Sequence, residues 1–233
     1  LMMNKKRILS ILMFIILGVL LFTNGYKLVY SKKNSNIDKK IILIDPGHGG
    51  IDGGAVSKNG TVEKDINLSI SLKLRDELEK NEYKVIMTRE EDKGLYSDKG
   101  RIRDKKREDL NNRCKMKQNS NCDAFISIHL NMFPESKYYG AQVWYSSNDN
   151  SKKLASLIQS NFKLNLDETN KRAEKPAKND YKILRSEDDI PSVIVECGFL
   201  SNPNEERKLK DSKYQEDIAN IIATSINQYF DNK

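Results

Sequence analysis

Apolar positions along this chain follow two rhythms. Short, mostly apolar runs at 41–44, 83–88, 124–128, 141–145, 181–184 and 192–195 have the length and composition of strands. Between them lie stretches whose apolar residues recur every three or four positions. In 65–79, Ile66, Ile70, Leu74 and Leu78 form one stripe. The same stretch also alternates through Leu68 and Leu72. Its length and the helix formers Lys-Leu-Arg-Asp-Glu-Leu-Glu decide for helix. Residues 105–118 read as a charged, weakly periodic helix, and 152–162 as a helix through Leu154, Leu157, Ile158 and Phe162. Residues 165–180 are polar and irregular. Ser212-Lys-Tyr-Gln215 has the form of a capping box opening a last helix, which buries Tyr214, Ile218, Ile221, Ile222, Ser225 and Tyr229. Strands alternating with helices predict an α/β domain with a largely parallel sheet.

The N-terminal segment has neither rhythm. Lys5, Lys6 and Arg7 precede the run 8–22, in which Ser10 is the one clearly polar side chain. A basic cluster before an apolar run is the layout of an export signal. The run is short for a spanning helix, which needs about 20 residues, but Tyr26, Leu28, Val29 and Tyr30 can extend it. No clear small-residue cleavage site follows Phe22. Residues 1–30 are therefore expected to be a signal peptide or an uncleaved membrane anchor, 31–40 a polar tether, and 41–233 one catalytic domain. Either reading places the domain outside the cytoplasm.

Charge sharpens this division. The formal net charge is +7 over 233 residues. Residues 1–40 hold eight of the 40 Lys and Arg and one of the 33 acids, leaving 32 of each in the rest. The whole excess thus lies in the N-terminal segment. A neutral, exported domain speaks against nucleic acid as a partner.

The chain has only two histidines, His48 and His129. Each lies at or just past the end of an apolar strand, in Ile-Leu-Ile-Asp-Pro-Gly-His48 and Phe-Ile-Ser-Ile-His129. Glu196 ends a third, in Val-Ile-Val-Glu196. Ligands of open α/β sheets bind at these carboxyl ends. Two imidazoles and a carboxylate suit Zn²⁺ with one open position. Asp52, Glu63 and Asp65 are all available as the third ligand. Glu63 is favoured because it opens a helix after the Gly-rich loop 47–60. Glu196 then stays free to act as a base. Against this stands the ordinary fate of an acid ending an apolar strand, which is to be paired or solvated.

Cys197 follows Glu196 and so points to the opposite sheet face, where it is expected to be a small buried hydrophobe. Cys114 and Cys122 could pair in an oxidising compartment, but reduced thiols are favoured. Lys99, Arg101, Arg103, Lys105, Lys106 and Arg107 are the domain's one basic cluster. It reads as a solvated loop and helix start, with contact to an anionic polymer as the alternative.

Several motifs occur together and in order: Asp45-Pro-Gly-His-Gly-Gly50, Val62-Glu-Lys-Asp-Ile-Asn-Leu68, Thr88-Arg-Glu-Glu-Asp92, Ala124-Phe-Ile-Ser-Ile-His-Leu-Asn131, Gly140-Ala-Gln-Val and Val195-Glu-Cys-Gly-Phe-Leu-Ser-Asn-Pro203. Over 40–230 the chain resembles the zinc-dependent N-acetylmuramoyl-L-alanine amidases of the amidase-3 family. The resemblance implies His48, Glu63 and His129 as ligands of one Zn²⁺ and Glu196 as catalytic acid/base. It implies a twisted, mostly parallel sheet of about six strands flanked by helices. It implies peptidoglycan as substrate, cut at the amide between the lactyl group of muramic acid and L-Ala. Residues 94–107 are a basic insertion relative to the family pattern.

A single short domain, an N-terminal anchor and no wall-binding repeats make the chain most similar to sporulation members of that family. Those act on spore cortex, on the way to the muramic-δ-lactam needed for germination. That likeness implies the space between the forespore membranes as location, and an accessory sporulation protein or lipoprotein as activating partner. Larger relatives carry a helix over the active site, and only 165–180 could serve as one here. Two other readings compete: a cysteine peptidase using Cys197, and a non-catalytic peptidoglycan-binding module.

Overall fold

The structure is a computed structural model. It describes residues 39–185 and 189–231, with Met13, Ile16, Gly18, Val19 and Phe22 of the N-terminal segment. The chain divides into two compact units, Leu1–Lys39 and Lys40–Lys233. Among the described residues no helix is long and apolar enough to cross a membrane. Most of the expected signal or anchor, and the tether up to residue 38, lie outside the described residues.

In the second unit the chain runs β1 (Ile41–Pro46), α1 (Glu63–Lys80), β2 (Lys84–Met87), α2 (Ile102–Asn119), β3 (Ala124–Asn131), β4 (Gln142–Tyr145), α3 (Asp149–Asn165), β5 (Lys175–Pro176), a 3₁₀ turn (Lys182–Leu184), β6 (Ser192–Phe199), α4 (Pro203–Lys210) and α5 (Ser212–Asp231). The described strands form one six-stranded sheet in the order β2-β1-β3-β6-β4-β5. β2, β1, β3 and β6 are mutually parallel, and β4 runs antiparallel to β6. The α/β fold with a mostly parallel sheet is as the sequence predicts.

The two sheet faces are covered unequally. Alternation sends Ile42, Ile44, Ile126, Ile128, Val193 and Val195 to one face, under α1, α3 and α5. There the α1 stripe Ile66, Ile70, Leu74 and Leu78 is buried, as are Ile218, Ile222 and Ile226 of α5. Leu43, Phe125 and Ile194 face the other way, into a smaller cluster with Ile183, Leu184 and parts of Leu110 and Cys114. α2 covers this second face with few apolar side chains. It buries Arg113 and Lys117 instead, with the Lys117 ammonium 5.3 Å over the Phe125 ring.

Three local expectations change. Within 181–184, Lys182–Leu184 form a 3₁₀ turn, not a strand: Ile183 and Leu184 cap the small cluster without joining the ladder. The irregular stretch 165–180 contains the two-residue strand β5 and no helix beyond Asn165, so it supplies no blocking helix. Asp211, not Ser212, caps α5, because its Oδ1 accepts the Tyr214 N–H at 2.9 Å.

Both ends of the domain lie at the pole where β1 begins. The Lys40 ammonium sits 5.9 Å over the ring of Phe230 in the last turn of α5. The carboxyl ends of β1, β3 and β6 lie at the opposite pole.

Candidate active site

β1 ends at Pro46, and the Gly47 N–H donates to Ile128 O at 2.9 Å, which ties the next turn to β3. His48 then adopts φ 63°, a left-handed conformation uncommon outside glycine. Gly49 and Asp52 pair through two backbone hydrogen bonds and fold Asp52 back under His48. Asp52 Oδ2 lies 2.8 Å from His48 Nδ1. The other ring nitrogen, Nε2, faces Glu63 Oε2 at 3.3 Å.

Glu63 is the first residue of α1 and is buried. Its carboxylate is held by three neighbours: the Ala55 N–H donates to Oε2, while the Leu130 N–H and Asn67 Nδ2 donate to Oε1. His129 Nδ1 lies 3.0 Å from the same Oε1. The two imidazoles meet edge-on, with centroids 4.9 Å apart.

Gly47 is where His129 needs space. A Cβ there would lie 2.3 Å from His129 Cε1. Gly47→Ala must therefore push the ring aside. Displacements near 1 Å in a reacting constellation cost about 10²-fold in rate. Amide hydrolysis by the Gly47→Ala protein is expected to fall by that order while its circular dichroism stays native. Wild-type rates would sink this account of Gly47.

Glu196 stands beside His129 in the β3–β6 register and beside Gln142 of β4. Paired residues of adjacent strands project to one face, so Glu196 and His129 share the thinly covered side. Among the described residues, buried Glu196 Oε2 meets no hydrogen-bond partner. Burial pushes this carboxyl up to about 7, Glu63 adds to the rise, and His129 and His48 oppose it. Burial alone would lower His48. The Asp52 and Glu63 carboxylates more than reverse that and raise it to about 9. Glu63 moves the other way: burial opposes ionisation, but the two imidazoles hold it far below the usual carboxylate range.

The donor set fits a metal. His48, Glu63 and His129 offer two nitrogens and a carboxylate oxygen, all within 4.8 Å of one another. This is a set Zn²⁺ uses in catalytic sites, which keep one position open. Without a metal, the carboxylates favour a proton on His48, so a bound cation must displace it. Of the three candidate acids, the structure brings Glu63 to both histidines. Asp52 instead orients His48 from behind, and Asp65 is exposed. A cleft of about 320 Å³ opens onto His48, Asp52 and His129, between α2 and the 3₁₀ turn.

A buried polar frame under this site escaped sequence reasoning. Arg113 Nη1 lies 2.6 Å from Asp45 Oδ1 and also donates to Pro46 O, while Nη2 donates to His48 O. Arg89 donates to Pro46 O, Gly47 O and Lys64 O. Thr88 and Ser127 hydroxyls donate to Asp45. Burial works against the Asp45 charge, yet Arg113 and the two hydroxyls hold its carboxyl below the usual range. The available signal was Asp45 itself, a second acid ending an apolar strand.

Cys197 is buried in the main core on the face opposite Glu196, and burial pushes its thiol well up. A nucleophile needs a thiolate in reach of an imidazole, so the cysteine-peptidase reading fails. Cys114 and Cys197 are free thiols.

Residues 42–228 match the Amidase_3 family, N-acetylmuramoyl-L-alanine amidase. The chain belongs to this family. The germination-specific N-acetylmuramoyl-L-alanine amidase of Bacillus subtilis is 38% identical over 241 residues, covering 100% of this chain and 98% of that protein. The CwlD amidase of Clostridioides difficile, solved in complex with the GerS lipoprotein, is 47% identical with a TM-score of 0.81. That match covers 84% of this chain and 100% of CwlD. The catalytic domain of CwlV from Bacillus (Paenibacillus) polymyxa is 31% identical with a TM-score of 0.70, covering 83% and 99%. As an N-acetylmuramoyl-L-alanine amidase, the protein is an enzyme acting on peptidoglycan, with germination-related relatives.

Proposed function

We propose that this amidase is zinc-dependent, with His48, Glu63 and His129 as metal ligands and Glu196 as acid/base. The supporting observation is Glu196: a buried carboxylate with a free oxygen, in register with one ligand and facing the same side. When bound, Zn²⁺ supplies a Lewis acid that polarises a carbonyl oxygen and acidifies water. Asp52 keeps the proton on His48 Nδ1, which leaves the Nε2 lone pair for the metal. Glu196 accepts the proton of the attacking water at its free oxygen. It then returns that proton to the L-Ala nitrogen as the amide bond to the lactyl carbonyl breaks. Burial suits it to both halves, since an acid/base works best with a pKa near the ambient pH.

The likeness to a germination-specific amidase and to CwlD bound to a lipoprotein supports spore cortex as the substrate and a lipoprotein as accessory partner. Residues 1–30 export or anchor the enzyme, residues 31–40 tether it, and it acts outside the cytoplasmic membrane.

Purified peptidoglycan tests the reaction. Wild-type protein loaded with zinc should release peptides with new L-Ala amino termini and no new reducing ends. His129→Ala should release none. New reducing ends would mean a glycosidase, and full activity in a strong chelator would remove zinc from the mechanism.

A further inference from the structure

The segment that carries the basic cluster is built into the site. Past His48, three successive residues are gripped by the segment 92–106. Asp92 Oδ1 accepts the Gly50 N–H at 2.8 Å. The Tyr96 hydroxyl accepts the Ile51 N–H at 2.9 Å. Lys106 Nζ, in the second turn of α2, meets Asp52 Oδ1 at 2.6 Å, and Asp52's other oxygen holds His48. The fit at Gly50 is close: it has φ 56°, and a Cβ there would lie 2.3 Å from the Tyr96 hydroxyl. Tyr96 is itself fixed from α2. Lys105 lies over its ring, and its neighbour Leu95 bonds Asp109 and Asn112.

This grip answers a need. A non-glycine residue in the left-handed region is strained and persists only where its surroundings over-determine it. His48 is such a residue. Arg89 and Arg113 fix the carbonyls up to His48 from one side. Neither arginine bonds Gly50, Ile51 or Asp52; Lys64 holds the Gly50 carbonyl at 2.9 Å, and the Gly49–Asp52 backbone pair closes the turn.

We propose that segment 92–106 is a clamp for His48, with Tyr96 and Lys106 as positioning residues that set metal affinity by holding Ile51 and Asp52. The inference rests on the metal reading above. The carboxylate behind a ligating histidine, here Asp52, is worth roughly ten- to a hundredfold in metal affinity, and the clamp acts through it. An exposed ion pair such as Lys106–Asp52 adds little to folding stability. The clamp thus acts on the metal more than on the fold.

The test is competition for Zn²⁺ between the whole chain, in detergent, and a coloured chelator. Tyr96→Phe removes one hydroxyl and no charge. Lys106→Met removes the ammonium and keeps the stem. Each should weaken zinc binding severalfold, up to about tenfold, with the unfolding midpoint of the zinc-free protein near wild type. Lys106→Arg should restore most of the affinity. Arg103→Met removes the same charge one turn away, and its affinity should stay within about twofold, since exposed charges are screened. Wild-type affinity in both Tyr96→Phe and Lys106→Met would overturn the clamp. So would affinity lost only in step with the zinc-free midpoint. A wild-type chain that takes up no zinc would overturn the metal reading and the clamp with it.

Discussion

Glu196→Gln should leave a folded protein that binds zinc as well as wild type and turns over 10²- to 10⁴-fold more slowly, the usual worth of a positioned acid/base. The amide is close to isosteric with the carboxyl, so the packing of β6 is kept. It can neither take a proton from water nor deliver one to the leaving nitrogen. Zinc should stay, because the three donors proposed for it come from other elements: the β1 loop, the start of α1 and β3. Peptide release from purified peptidoglycan, measured beside zinc content, separates the two roles. A variant with full zinc and wild-type turnover would remove Glu196 from the chemistry. A variant that loses zinc would make it part of the metal site.

The second large effect is on stability. Arg113 and Asp45 are both almost fully buried, and their contact is 2.6 Å. Removing one partner of a buried pair strands the other charge, at a cost of about 3–5 kcal/mol. Arg113→Met should therefore lower the thermal midpoint by roughly 10 °C, because Pro46 O and His48 O lose their donor as well. An unfolding free energy within about 1 kcal/mol of wild type would contradict this. The pair also sets a pH dependence. The folded Asp45 carboxyl lies below its ordinary value of 3.8. Its contribution is then complete above pH 3.8 and is lost as pH falls through the lower, folded value. Asp45→Asn should start less stable at neutral pH and lack this part of the acid loss. Parallel acid-unfolding curves for the two proteins would rule it out.

The parts of this fold written in apolar periodicity were legible, and the parts written in buried charge were not. β1, β3 and β6 are read from continuous apolar runs because both their faces are covered. α1 was legible because Ile66, Ile70, Leu74 and Leu78 keep one stripe. α2 gave a weak signal for a physical reason: its inward face carries Arg113 and Lys117, which hydropathy counts as surface. The 3₁₀ turn was misread because Tyr181, Ile183 and Leu184 are apolar enough for a strand while packing as a lid on Leu43 and Phe125.

At the site, His48, His129 and Glu196 stood out by their place at strand ends. Glu63 is favoured among three acids by its place at a helix start, the weakest of the four signals, and the family resemblance strengthens it. Arg89, Arg113, Tyr96 and Lys106 could not be assigned, since their work is hydrogen bonding to backbone and carboxylates far off in sequence.

Lys40 and Phe230 meet at the pole away from the histidines, so the domain's two ends leave side by side. The pole that carries the two histidines and the cleft lies away from residues 40 and 230. The domain is in this respect a cassette. A carrier or solid support joined at residue 40 or after residue 231 should leave the cleft open, and joining those two points by a short linker leaves the loop 47–54 unbroken.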